Sequence, residues 1–219
     1  MPDAASRARL TVRFWGVRGS LPTPREGHLG VGGNTTCVEV RGPEGQVLIL
    51  DAGTGARDLG VALTAEAGGE PLDLHVLFSH FHWDHLQGLP FFAPLYAPTS
   101  TVCLRASATG AEIREAMGGQ MQEPFFPVPF GDLAARVEVA PVCDGEPFEV
   151  GGMRVEAFPL HHPQGSTGYR IEAGGATWTS EPSSSKGTGK NGCCICPPMA
   201  ARISPSSATA WSVMVFAGP

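Results

Sequence analysis

Residues 78–89 read Phe-Ser-His-Phe-His-Trp-Asp-His-Leu-Gln-Gly-Leu. Three of the chain's seven histidines and one aspartate lie within six consecutive positions of this stretch. The apolar run at residues 74–78 leads into them and has the length and the β-branched and aromatic content of a buried strand. Because core packing has no use for four imidazole and carboxylate groups at one strand end, a chance surface turn or a buried hydrogen-bonded cluster is the weaker interpretation. The sequence therefore predicts a metal site where a strand ends.

The spacing of these side chains indicates more than one metal ion. Alternate side chains of an extended segment share a face, so His80, His82 and Asp84 are predicted to converge, with Trp83 on the opposite side. His85 breaks this alternation. If the chain becomes helical near Asp84, then Asp84 and His85 reach a second point a few ångströms from the first, which two neighbouring ions would require.

The pattern His-x-His-x-Asp-His after a hydrophobic strand resembles the metal signature of the metallo-β-lactamase superfamily. Residues 14–20, 32–37 and 48–55 also resemble its phosphodiesterase branch, which includes ribonuclease Z and phosphoribosyl cyclic phosphodiesterases. The resemblance implies an α/β fold, the four-layer αβ/βα sandwich, over residues 1–177. A chain of 219 residues is short for this sandwich, so the second half is expected to be incomplete.

The resemblance implies five metal ligands: His80, His82, Asp84, His85 and His162. His162 is identified by counting back from the Gly-Tyr-Arg segment at residues 168–170, which is similar to the strand that follows the family's third histidine. Zn²⁺ is the expected ion, with two sites in relatives and Mn²⁺ as the alternative. Asp84 is also the expected catalytic residue, which ligates the second ion and orients the nucleophile or takes its proton.

Three further residues are predicted near this centre. The resemblance places Asp51 beside the histidine motif as a supporting partner, while a carboxylate that caps a tight turn is the structural alternative. Arg18 is a candidate phosphate contact, although a solvated loop arginine is the simpler interpretation. His161 is a candidate hydrogen-bond partner behind the ligands.

The resemblance implies a metal-dependent hydrolase in which a metal-bound hydroxide attacks a cyclic or small phosphodiester. One alternative is a catalytically impaired metal-binding protein, and another is a hydrolase of thioesters or lactones. The net charge of −6 disfavours nucleic acid, which stays an alternative substrate, and favours a small anionic phosphodiester held by metals. No apolar run has the length of a membrane span or of a signal sequence, so no membrane partner and a cytoplasmic location are expected, and the oligomeric state is left open.

Local patterns predict the remaining elements. A hairpin is expected over residues 35–40 and 46–50, and a helix over 54–67 that ends at two glycines. Strands at residues 136–139, 149–150 and 153–158 are predicted to form a second half-sheet. Cys37, Cys103 and Cys143 lie in apolar segments and are predicted to be buried free thiols.

The sequence departs from the family pattern after Ile171, because no aspartate or histidine follows it. Relatives use a bridging aspartate and a last histidine there, so the second metal site is expected to be weakened. Residues 178–219 form an atypical tail, which is interpreted as out of frame or disordered. Tryptophan has the single codon TGG and threonine codons start with AC, so the frame one base back encodes aspartate across Trp178 and Thr179. This frame restores Ala-Thr-Asp, which resembles the missing bridging segment.

Overall fold

The computed structural model describes residues 10–26, 32–182, 199–205 and 215–217. Predictions that fall on the tail segments 183–198, 206–214 and 218–219 lie outside the described residues. None of the helices found in the described ranges is long and apolar enough to cross a membrane.

Two β-sheets organise the chain. The first has seven strands, which are β1 (Thr11–Gly16), β2 (Cys37–Arg41), β3 (Val47–Leu50), β4 (Asp73–Leu77), β5 (Thr101–Ala106), β6 (Arg136–Pro141) and β12 (Val215–Ala217). Their order is β12-β1-β2-β3-β4-β5-β6, and β3 to β6 are parallel. The second has five antiparallel strands in the order β11-β10-β9-β8-β7, which are β7 (Phe148–Val150), β8 (Met153–Leu160), β9 (Ser166–Ala173), β10 (Ala176–Pro182) and β11 (Met199–Pro205).

Helices cover one face of the first sheet, and the second sheet covers the other. The helices are α1 (Gly55–Ala67), α2 (Trp83–Leu86) and α3 (Gly110–Gly118), with 3₁₀ turns at Leu89–Phe91, Ala93–Tyr96 and Phe130–Asp132. Because successive side chains of a strand point to opposite faces, Ile49 of β3 packs in the core beneath the helices. Its neighbours Leu48 and Leu50 pack in the core shared with the second sheet.

The elements predicted from local patterns are present. The hairpin of β2 and β3 forms with its turn at Gly45, whose φ is +87°. Helix α1 ends at Gly68 in the left-handed conformation, with φ of 58°, which is the usual way for a glycine to close a helix. Strands β4 and β5 then place the metal-motif residues at the end of a central parallel strand.

Three sequence predictions were wrong. Strand β6 pairs in parallel with β5 in the first sheet rather than joining the second half-sheet, because α3 forms a crossover between β5 and β6. Cys143 is exposed, whereas Cys37 and Cys103 are buried. Trp83 is 57% exposed because the chain has already become helical there, so its side chain leaves the alternation of the preceding extended segment.

Among the described residues no helix follows β7 along the chain, and the incomplete second half stays a prediction. Strand β10 continues beyond residue 177 to Pro182, and Trp178 is fully buried in the core between the sheets. The domain boundary at residue 177 and the frameshift hypothesis stay predictions, which the encoding DNA would test.

Candidate metal centre

Three histidines from two distant parts of the chain meet at one edge of the sandwich. His80 and His82 lie in the extended segment between β4 and α2, and His162 lies in the turn between β8 and β9. The ligand nitrogens of all three lie within 4.8 Å of one another. The His162 ring centroid is 4.4 Å from that of His80 and 4.8 Å from that of His82. This spacing is small enough for one ion to be held by all three imidazoles.

Strand β9 holds the β8–β9 turn against the histidine segment. The backbone N–H of Thr167 donates to the carbonyl oxygen of Ser79 at 2.8 Å. The hydroxyl of Tyr169, which is fully buried, donates to the carbonyl oxygen of Phe78 at 2.8 Å. These two hydrogen bonds join the second sheet to the end of β4, and they explain why His162 arrives beside His80.

The ring of His80 is suited to ligate a metal ion. Its Nδ1 lies 3.0 Å from the hydroxyl of Ser79, while its Nε2 is buried and has no hydrogen-bond partner. A buried polar atom without a partner is unusual, and a metal ion would satisfy it. Burial, followed by the charge of His85, lowers the pKa of His80 to about 3, so the ring is neutral at pH 7, as ligation requires.

His162 is also held in the neutral form. Burial and then the charges of His82 and His85 lower the pKa of the His162 imidazole below its usual value, although Asp84 opposes this shift. Because a metal ion binds only an unprotonated imidazole nitrogen, the ring needs no deprotonation to act as a ligand at neutral pH.

Asp51 organises the floor of the centre. Its carboxylate is fully buried and accepts from the backbone N–H of Ser79 at 2.8 Å, from the Ser79 hydroxyl and from His85 Nδ1 at 2.7 Å. A carboxylate that binds one ring nitrogen fixes the tautomer and directs the other nitrogen, here Nε2, away from it. The predicted supporting position of Asp51 therefore matches its contacts. Its role in metal binding stays a prediction.

Asp84 and His85 form a second pair of candidate ligands beside the three histidines. Both lie in α2, which begins at Trp83. His85 Nε2 lies 3.4 Å from Asp84 Oδ2, which also accepts the backbone N–H of Ser20 at 2.8 Å. Burial raises the pKa of the Asp84 carboxyl, but the neighbouring His85 and the Ser20 N–H outweigh it, so the pKa lies below its usual value. Among the described residues, the three histidines are the one group of three or more side chains whose ligand atoms lie within 4.8 Å of one another, and the weakened second site stays a prediction.

The other two predicted residues are Arg18 and His161. Arg18 Nε donates to the carbonyl oxygen of Gly32 at 3.1 Å, which places the guanidinium in a loop contact. The side chain of His161 is exposed and makes no hydrogen bond with any described residue. Within the described residues, no hydrogen bond of His161 supports the role predicted for it.

Sequence reasoning missed three residues that contact the centre. Ser79 contacts Asp51 and His80, the Ser20 N–H binds Asp84, and Gln164 Oε1 lies 2.7 Å from His82 Nε2. Only Ser79 had a local signal, since it lies next to the first histidine. Ser20 and Gln164 are brought to the site by loops.

A cleft of about 600 Å³ opens beside His80 and Gln164. Its charged lining consists of three carboxylates, from Glu112, Glu115 and Asp144, and no lysine or arginine of the described chain lines it. Its remaining walls come from the ends of β5, β8 and β9 and from α3. A group that enters this cleft meets negative charge.

The stability of the metal-free protein is expected to fall as the pH is lowered from 7.5 to 5.5. Burial and then the Arg105 charge lower the pKa of His75 below its usual value, and neutral His75 accepts from Arg105 Nε at 3.2 Å. The unfolded chain therefore binds more protons than the folded chain below pH 6.5, so stability rises with pH in this window. His80 and His162 act in the same direction.

Urea unfolding in the presence of a chelator would measure this dependence. The urea midpoint should be lower at pH 5.5 than at pH 7.5, and His75→Asn, which keeps an acceptor near Arg105, should make the difference smaller. A midpoint that is equal or higher at pH 5.5 would contradict the expectation.

Comparisons with known proteins identify a matching family model and solved structures of similar fold. A family model described as a beta-lactamase superfamily domain matches residues 46–179. The metallo-beta-lactamase fold protein YhfI from Bacillus subtilis is 17% identical over 77% of this chain and 59% of its own, with a TM-score of 0.54. Unliganded yeast PDE1 is 13% identical over 75% of this chain and 62% of its own, with a TM-score of 0.50. No curated protein matches the chain.

These likenesses confirm the predicted α/β metallo-β-lactamase fold. The matched part of the chain spans less than two thirds of the length of either structure. At such low identity the two structures show the fold alone. The fold and the histidine group together fit the binding of a metal ion.

Proposed function

Because the chain belongs to the metallo-β-lactamase superfamily, we propose that it is a metal-dependent hydrolase that cleaves small phosphodiesters. The observation that carries this proposal is the meeting of His80, His82 and His162 within 4.8 Å, with the buried Nε2 of His80 left without a partner. The residues at 14–20, 32–37 and 48–55, which resemble the phosphodiesterase branch, support the choice of bond.

Zn²⁺ is the proposed ion, because three neutral imidazoles are a usual ligand set for zinc, and Mn²⁺ is the alternative. When bound, such an ion activates water for attack and neutralises charge that develops on the phosphoryl oxygens. The three histidines would hold it through unprotonated ring nitrogens.

Asp84 is the proposed catalytic carboxylate. Its lowered pKa keeps it ionised at neutral pH, so it can accept a hydrogen bond from the attacking water and orient it. The N–H of Ser20 holds one of its oxygens, and His85, held by Asp51, lies on the same oxygen. The Ser20 N–H therefore orients the carboxylate before substrate arrives.

The charge of the cleft supports a small substrate. Three carboxylates line it, and the chain carries a net charge of −6, so a polyanion such as tRNA would be repelled beside the metal centre. The single negative charge of a diester would lie at the metal, and its uncharged alcohol group would occupy the cleft. Nucleic acid is therefore the less favoured substrate.

The second candidate is a metal-binding protein without turnover. Its support is the absence of aspartate and histidine after Ile171, since relatives complete the second site and protonate the leaving group with residues from that region. Asp84 and His85 alone would hold a second ion weakly.

Metal analysis combined with turnover distinguishes the two candidates. The purified chain should bind zinc and hydrolyse bis-p-nitrophenyl phosphate, and this activity should be lost with a chelator and restored by added metal. Thioester and lactone substrates assayed alongside should be hydrolysed more slowly. One ion per chain and no turnover of any substrate would favour the second candidate, while faster thioester or lactone cleavage would overturn the choice of bond.

A further inference from the structure

We propose that Gln164 is a positioning residue, whose side-chain oxygen holds His82 in the tautomer that leaves Nδ1 available to the metal ion. The inference rests on the proposed metal site and adds a residue that the metal motif does not contain. The contact that carries it joins Gln164 Oε1 and His82 Nε2 at 2.7 Å.

The chemistry of the amide fixes the position of the proton. A carbonyl oxygen only accepts hydrogen bonds, so His82 Nε2 must carry the hydrogen in this contact. A neutral imidazole has one N–H, so Nδ1 then has a free lone pair. Nδ1 is therefore the nitrogen of His82 that the contact makes available for ligation.

The two neighbouring histidines are thus arranged in opposite ways. His80 has its Nδ1 beside the Ser79 hydroxyl and its Nε2 buried without a partner, so Nε2 is its available nitrogen. His82 has its Nε2 occupied by Gln164 and offers Nδ1. Each ring is held on one side by a neutral oxygen, and its other nitrogen is left for the centre.

The location of Gln164 couples the two halves of the site. Gln164 belongs to the β8–β9 turn, two residues after His162, and this turn is closed by a hydrogen bond from the Gly165 N–H to the His162 carbonyl oxygen at 3.0 Å. Gly165 has a φ of +78°, which glycine adopts without strain. The turn that supplies the third histidine therefore also supplies the group that orients the second one.

A neutral amide suits this role better than a carboxylate at the same place. A carboxylate would favour protonation of His82 to the imidazolium, which cannot ligate a metal ion. Gln164 fixes the ring without adding charge. The amide also lines the cleft, so it lies between the centre and the space proposed for substrate.

The opposite orientation of the Gln164 amide would give the opposite tautomer of His82. If the Gln164 NH₂ faced His82, it would donate to Nε2, the ring hydrogen would lie on Nδ1, and Nδ1 could not bind the ion. The tautomer of His82 in the metal-free protein therefore decides between the two. Nitrogen-15 long-range NMR correlations of the histidine rings at pH 7.5 would measure it.

The wild-type protein is expected to show His82 with hydrogen on Nε2. In Gln164→Leu both tautomers should be populated, and zinc affinity, measured by competition with a chromophoric chelator, should fall ~10–100-fold. Gln164→Glu also retains an acceptor oxygen, so the neutral fraction of His82 in this variant should still carry its hydrogen on Nε2. As a matched control, Gln122→Leu should leave both measurements unchanged, since within the described part of the chain the exposed Gln122 side chain bonds only the Gly119 carbonyl oxygen.

Hydrogen on His82 Nδ1 in the wild type, or zinc affinity in Gln164→Leu equal to that of the wild type, would overturn the inference. Because the tautomer is read without metal, the wild-type measurement decides the matter even if the leucine variant does not fold. The proposed function fails separately: a chain with the expected tautomer and tight zinc binding that hydrolyses no phosphodiester supports the role of Gln164 and refutes the hydrolase.

Discussion

Replacement of His162 by alanine is expected to reduce zinc affinity by more than ~100-fold and to abolish hydrolysis of bis-p-nitrophenyl phosphate. The loss should exceed the ~10–100-fold cost of removing a supporting residue, because a ligand itself disappears. His162 is the one histidine of the three that comes from the second sheet. Without it, His80 and His82 are too few ligands for a structural or catalytic zinc site.

His161→Ala is the matched control for this experiment. It removes the same side chain one residue earlier in the same turn, but His161 is exposed and makes no hydrogen bond with a described residue. Zinc affinity and turnover should stay within about 2-fold of the wild type, since surface substitutions of this kind have small effects. Equal losses in both variants, or unchanged affinity in His162→Ala, would contradict the proposed ligand set. His162 would then not be the third ligand.

Asp51→Ala is expected to lower the free energy of unfolding of the metal-free protein by ~3–5 kcal/mol. Asp51 is fully buried and is the acceptor for the Ser79 backbone N–H, the Ser79 hydroxyl and His85 Nδ1. Alanine would leave these buried groups without an acceptor, and each unsatisfied group costs about 1–3 kcal/mol. Urea denaturation in the presence of a chelator measures this loss separately from any effect on metal binding.

Two further variants separate the causes of that loss. Asp51 has a φ of 58°, a conformation that asparagine adopts more easily than alanine. Asp51→Asn keeps one acceptor oxygen and the backbone preference, so its loss of stability should be clearly smaller than that of Asp51→Ala. The control Asp144→Ala removes an exposed carboxylate that accepts only from Ser107 at 3.3 Å, and it should change stability by less than ~0.5 kcal/mol. If Asp51→Ala were as stable as Asp144→Ala, Asp51 would not have the central role that its contacts indicate.

The predicted and observed elements agree best where local pattern decides the conformation. The β2–β3 hairpin, helix α1 with its closing glycine and the end of β4 before the histidines all follow from periodicity, turn residues and spacing within short segments. Local pattern does not identify the partner of a strand, and for this reason the sheet predicted for β6 is wrong. Its alternation predicts a strand, but the partner of that strand depends on where the β5–α3–β6 crossover returns the chain.

The cluster of His80, His82, Asp84 and His85 can be predicted from residue order alone, because these residues are neighbours along the chain and one strand end brings them together. The distant groups that join them depend on how the two sheets pack. The Thr167 and Tyr169 hydrogen bonds to the end of β4 bring His162 and Gln164 to the centre, and the loop at Ser20 brings a backbone N–H to Asp84. The physical reason is that contacts between segments far apart in sequence are fixed by strand pairing and core packing, whose geometry no short stretch of residues contains.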